Sequence, residues 1–277
     1  MLPDTELRVV LPNESPAMEP SQLTELAVRA EQLGYGAVLL PDHLLPPEPY
    51  GPAYGGVYEP LTTLAFLAAA TERIGLGMSV LVLPLREPFL VAKQAATVHR
   101  LSGGRLTLAV GAGWVRSEFD AARADYAGRG RYVEDALRLI RTLFSGATSY
   151  DDERFGYAGV FEPRPLTPLP IAVGGTTDAA LRRAAALADE WHAFALDADG
   201  FASRLAVLRS LRETGPLAGQ PLRAGTRIEW AGGQDELAAA VKSVHALTAA
   251  GADSVAIWFG DEDGFGERME EFAAAFA

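Results

Sequence analysis

The chain alternates short apolar runs with longer stretches of helical spacing, and this rhythm continues to its end. Arg8 to Leu11 is apolar after a polar start and predicts a first strand. Glu19 to Leu33 puts Leu23, Leu26, Ala27, Ala30 and Leu33 on one helical face, and Gly34 supplies the C-terminal stop. Ala37 to Leu40 predicts strand 2, followed at once by Pro41-Asp42-His43. Leu44 to Tyr58, rich in proline, glycine and tyrosine, predicts a long loop. Pro60 to Thr71 predicts a helix with Pro60 near its first turn. The β-rich run Ile74 to Leu83 predicts strand 3, Pro88 to Leu101 a helix, and Leu106 to Val110 strand 4. That strand closes on Gly111-Ala112-Gly113-Trp114, and a polar loop with Arg116, Arg123, Arg129 and Arg131 follows.

The second half keeps the rhythm. Tyr132 to Phe144 predicts a helix, and the irregular stretch Ser149 to Pro168 reads as a hairpin insertion. Strands are expected at Pro170 to Val173, Trp191 to Ala195, Arg223 to Trp230 and Ser254 to Phe259. Helices are expected at Asp178 to Ala188, Ala202 to Glu213, Glu236 to Ala250 and Glu267 to Phe276. Eight strands alternate with eight helices, and no linker divides them. The pattern predicts one domain over residues 1–277, a (β/α)8 TIM barrel with an insertion near residues 149–168. A doubly wound sheet competes, but it usually has fewer strands, and its Gly-x-Gly-x-x-Gly fingerprint is absent from the first turn.

Composition narrows the picture. Apolar residues make up 49% of the 277, enough for a sizeable core. The chain has no cysteine, so disulfides, thiolate metal sites and a cysteine nucleophile are excluded. A net charge of −12 argues against nucleic acid and anionic membranes as partners. No apolar stretch reaches the roughly 18–20 residues of a membrane span, and no signal-peptide pattern opens the chain. These features fit a cytoplasmic protein.

In a parallel barrel, function belongs to the loops after the strands. His43, directly after strand 2, can exchange protons near neutral pH, and its neighbour Asp42 can tune it; the bland alternative is a loop histidine beside a solvated acid. Small residues at Ala112 and Gly113 let a ligand approach the backbone. Trp114 can stack on a planar ring or fill the barrel top. Gly174-Gly175-Thr176, between a strand and a helix start, suits phosphate; it serves equally as a tight turn with Asp178 as the cap. Ser79 and Val80 carry no signal of their own. The histidines at 99, 192 and 245 read as structural; the arginines at 116, 123, 129 and 131 can help hold an anion, but more often such arginines pair with neighbouring acids, here Glu118, Asp120 and Asp125. No metal-ligand cluster or nucleophilic triad stands out.

Together these stretches resemble the bacterial luciferase-like monooxygenase family, and within it the branch using the deazaflavin coenzyme F420. The likeness rests on Val80-Leu81-Val82-Leu83-Pro84, Ala92 to Thr97, Arg100-Leu101-Ser102-Gly103-Gly104-Arg105 and Gly111 to Trp114, with a second block at Pro170 to Gly175 and Ala188 to Trp191. The resemblance implies F420 at the barrel mouth, with FMN as the alternative cofactor. It implies His43 near the reactive ring and a cis peptide at Ser79–Val80 behind it. It also implies backbone contacts to the cofactor phosphate from Ala112, Gly113, Gly174 and Gly175. Trp114 and the loop tyrosines Tyr50, Tyr54 and Tyr58 would shape a pocket for a small organic substrate. A homodimer is expected on the same ground, and a flavin or deazaflavin reductase as partner where FMN is used. Hydride transfer is the leading reaction; an FMN-dependent monooxygenase and a non-catalytic flavin-binding protein are the alternatives. Trp114 replaces the catalytic glutamate of the family's sugar-phosphate dehydrogenases, Ala112 replaces a phosphate-binding arginine of bacterial luciferase, and His99 replaces a usual aspartate.

Overall fold

The computed structural model describes residues 5–13, 18–45 and 58–276. The strands are β1 (Glu6–Val10), β2 (Ala37–Leu40), β3 (Gly75–Met78), β4 (Leu81–Val82), β5 (Leu106–Gly111), β6 (Ser149–Asp151), β7 (Gly156–Ala158), β8 (Ile171–Gly174), β9 (Glu190–His192), β10 (Arg223–Glu229) and β11 (Ser254–Trp258). The helices are α1 (Pro20–Gln32), α2 (Pro60–Ala70), α3 (Pro88–Leu101), α4 (Arg116–Ala122), α5 (Arg129–Ser145), α6 (Asp178–Leu187), α7 (Ala198–Glu213), α8 (Gln234–Ala249) and α9 (Phe265–Ala274).

The main sheet closes on itself. Its strands pair in parallel in the order β3-β2-β1-β11-β10-β9-β8-β5, and β3 also pairs with β5. This is the expected (β/α)8 barrel. β4 continues the line of β3 and pairs with β5 through Leu81↔Val110 and Val82↔Gly111. The run Ile74 to Leu83 is therefore not one strand: it splits at Ser79 and Val80 and ends in a short 3-10 turn over Leu83–Leu85. β6 and β7 form the antiparallel hairpin expected in the insertion.

Strand alternation sorts side chains between two environments. Leu7, Val9, Leu11, Val38, Leu40, Leu76, Leu108, Ile171, Trp191 and Val255 point outward and join the helices in one buried apolar core. The inward positions mix small and charged residues with a second, smaller apolar cluster of Val10, Ala37, Leu39 and Ala256. Their register places Arg8 beside Ala37 and Ala256, Leu39 beside Gly77, and Gly225 beside His192. Helix starts are set by local chemistry. Pro60 and Pro88 open α2 and α3, and the Glu59 and Glu87 carboxylates each accept a backbone N–H at 2.7 Å. α4 lies where the pattern predicted only a polar loop. Among the described residues, no helix is long and apolar enough to cross a membrane.

Candidate active site

The C-terminal ends of the strands form the mouth of the barrel. β2 delivers Asp42 and His43, β3 delivers Ser79, β5 leads into Ala112–Trp114, and β8 ends at Gly174. The His43 side chain is largely buried, and its Nδ1 lies 2.8 Å from Glu118 Oε2. Glu118 sits on α4 and is buried; its other oxygen accepts the Leu45 N–H at 2.9 Å. Burial works against ionisation of Glu118. The bonds from His43 and the Leu45 N–H outweigh it and hold the carboxyl below the usual carboxylate range. An ionised Glu118 accepts hydrogen bonds only, so Nδ1 of His43 carries the proton, a tautomer assigned from this partner. Nε2 is then left for the mouth. The Trp114 ring stands edge-on to the imidazole, with centroids 5.9 Å apart, and is itself exposed.

Asp42 does not hold His43. Its buried carboxylate accepts the Val82 N–H at 2.7 Å and pairs with both terminal nitrogens of Arg86 at 2.8 Å. It braces the chain after β4, and the carboxylate that meets His43 is that of Glu118.

Ser79 and Val80 are half-buried and joined by a cis peptide bond. The Val80 side chain lies between the ends of two other strands. A Cβ at Gly111 would stand 2.6 Å from Val80 Cγ2, and one at Gly174 would stand 3.1 Å from either methyl. Only glycine fits at Gly111 without moving Val80. Ser79 Oγ lies 2.9 Å from Nε2 of His192, on β9. His192, expected to be merely structural, thus reaches the mouth from within the barrel.

The glycine loops are held mostly by the protein itself. Gly113 O accepts from Arg129 Nε at 3.2 Å, and the Arg129 guanidinium stacks over Tyr126 at 4.0 Å. The Gly175 N–H donates to His192 O at 3.2 Å, and Gly175 O accepts from Trp191 Nε1 at 2.8 Å. The Gly175 amide expected to hold an anion is therefore already engaged. Thr176 O accepts from Arg204 Nε at 2.9 Å, and Thr177, not Asp178, caps α6.

A buried guanidinium suited to an anion lies elsewhere. Arg183 on α6 is 7% exposed, and its Nε has no partner. Its Nη2 lies 2.7 Å from where a Cβ on Gly130 would stand, at the start of α5, and 3.4 Å from Glu134. The α5 N-cap, Gly128, offers no side-chain acceptor. A buried guanidinium nitrogen beside an uncapped helix start fits a phosphate. Arg129, the first residue of α5, is tied to Gly113 O, so this corner adjoins the β5 loop.

Of the expected site residues, His43, Ser79, Val80, Ala112, Gly113, Trp114 and Gly174 gather at the mouth. Asp42, Gly175 and Thr176 are bound up in scaffold contacts. Tyr54 lies outside the described residues, and Tyr58 donates its hydroxyl to Met18 O at 2.6 Å. Glu118, His192 and Arg183 were not expected there. Val115 and Phe119, both buried and four apart, are the helical signal that could have revealed α4 and with it Glu118.

The architecture and the converging side chains define an enzyme of the (β/α)8 barrel class with its site at the strand ends. The chain belongs to the luciferase-like monooxygenase family, whose model matches residues 5–248, and it is an oxidoreductase of that family. It is 34% identical to an F420-dependent glucose-6-phosphate dehydrogenase of Nakamurella multipartita, over 61% of this chain and 51% of that enzyme. It is 32% identical to a 4-hydroxyprotoasukamycin monooxygenase of Streptomyces nodosus subsp. asukaensis, over 58% of this chain and 43% of the relative. The chain thus matches about half the length of each. An F420-dependent secondary alcohol dehydrogenase shares the fold, with a TM-score of 0.79 at 16% identity over 99% of both chains.

Proposed function

We propose that the protein uses coenzyme F420 to move a hydride to or from a small organic substrate, with His43 carrying the proton. The buried His43–Glu118 pair at the barrel mouth is the observation that carries this reading. When bound, a deazaflavin supplies hydride chemistry with little reactivity toward oxygen, because the ring position that would form a peroxide is carbon. Glu118 fixes the imidazole orientation, so Nε2 can give a proton to a substrate oxygen or take one from it. Ser79 and Val80 back the ring, Trp114 borders the substrate, and Arg183 with the start of α5 holds the phosphate. The F420-dependent dehydrogenase among the relatives supports the cofactor assignment.

Removing the proton carrier separates chemistry from binding. His43→Ala is expected to lower turnover by about 10²–10⁴-fold while the cofactor still binds, and Glu118→Gln to lower it less. Unchanged turnover in His43→Ala would remove His43 from the mechanism. The monooxygenase relative favours a second reading, in which reduced FMN from a reductase partner reacts with oxygen. Oxygen consumption coupled to substrate turnover, with tighter binding of FMN than of F420, would establish that reading instead.

A further inference from the structure

His192, a strand residue, touches two sides of the mouth. Its Nε2 lies 2.9 Å from Ser79 Oγ, and its carbonyl accepts the Gly175 N–H at 3.2 Å. The imidazole is buried in the barrel interior, beside glycines on both neighbouring strands: Gly174 on β8 and Gly225 on β10 are its register partners. Behind it lies a cavity of about 80 Å³ whose wall includes Arg8, Glu190, Thr107 and Gly77. Arg8 and Glu190 pair there through two contacts, at 2.5 and 3.1 Å. A polar cavity of this size has room for about two waters.

The fold does not need this imidazole to hold the strand end. The Ser79 backbone is already tied by its N–H to Leu40 O at 2.9 Å. A buried polar ring is costly unless its hydrogen bonds are made. Its side-chain bond goes to a half-buried hydroxyl at the mouth. We propose that His192 is a positioning residue for the cofactor, fixing the Ser79 hydroxyl, and with it the floor beside Val80, from inside the barrel.

This role rests on the cofactor-dependent reading above. The imidazole meets the hydroxyl through one nitrogen, and the ring also lines the cavity behind it. The Ser79 hydroxyl cannot rotate freely while that bond is kept, so it presents a fixed dipole to any ring resting on the floor. His192 itself touches no substrate.

The test is a double-mutant cycle on the full-length protein with Ser79→Ala, His192→Leu and their combination. Fluorescence titrations with F420 and FMN give dissociation constants, the absorption maximum of bound cofactor reports the ring's surroundings, and denaturation midpoints report stability. Each single variant is expected to weaken cofactor binding roughly five- to tenfold, the size of one net hydrogen bond. Each is also expected to move the absorption maximum in the same direction. The double variant should be no worse than either single one, because both remove the same interaction, and His192→Gln should restore most of the loss. If His192→Leu does not fold, His192→Asn, which is too short to reach Ser79, takes its place. Fully additive losses, or a His192 variant that binds and absorbs like wild type, would overturn the positioning role alone. Wild-type protein that binds neither cofactor would overturn the proposed function and this role with it.

Discussion

At the scale of single residues, the site depends on which buried groups carry a proton. Burial pulls the pKa of His192 down to about 4 from 6.5, helped by the nearby cations Arg8 and Arg227 and opposed by Glu190. Burial lowers that of His99 as well; its Nδ1 accepts the Leu166 N–H at 3.2 Å. Both rings are therefore neutral in the fold at pH values where the unfolded chain would protonate them. Between pH 6.5 and about 4 the unfolded state binds more protons, so stability is full above pH 6.5 and falls as pH drops through this window. The His192 drop of 6.5 to about 4 corresponds to a loss of about 3 kcal/mol by the lower end. Glu118 acts lower: its contribution is present above the ordinary glutamate range and fades only beneath it. Denaturation series between pH 6.5 and 4.5 should thus show a flatter fall for His192→Gln than for wild type. Parallel slopes would mean that His192 is charged in the native protein.

At the scale of elements, the regular parts of the fold were legible and the irregular ones were not. α3 spans the residues its spacing predicted, because its apolar face, Pro88 start and Ser102-Gly103-Gly104 stop agree. The break between β3 and β4 leaves no trace in the apolar pattern, since both sides of it are buried strand; only the family resemblance pointed to Ser79–Val80. α4 is short and charged, so Glu118 reads as a surface acid until folding brings it to His43, 75 positions earlier in the chain. The glycine loops were legible as special positions, though not in what they do. Gly111 and Gly174 make room for Val80, while Gly175 is used by β9. Gly111→Ala tests this directly. Its Cβ would lie 2.6 Å from Val80 Cγ2, so Val80 must shift and the floor of the mouth with it. Cofactor affinity is expected to fall about tenfold or more while circular dichroism stays unchanged. Wild-type affinity would show that Val80 does not define the floor.

At the scale of the whole molecule, an apolar shell surrounds a charged barrel interior. The outward strand positions and the helices bury one continuous hydrophobic core, the main source of stability. The interior is organised by Arg8, which pairs with Glu190 and Glu6; Arg223, exposed at the start of β10, reaches Glu6 at 2.5 Å. Such pairs add little net stability over apolar packing, but removing one partner strands the other. Small inner residues such as Gly77, Ala109, Ala172 and Gly225 leave the space these long side chains fill. Beneath the mouth lie the Arg8–Glu190 pair and His192, whose Nε2 meets Ser79 Oγ. The same scale gives the most direct test of the central claim, a crystal structure of the protein saturated with F420. The account predicts the ring against Val80 with His43 Nε2 facing its reactive edge, and the phosphate beside Arg183 and the start of α5. A mouth left empty at saturating F420, or a ring bound away from Val80 and His43, would contradict it.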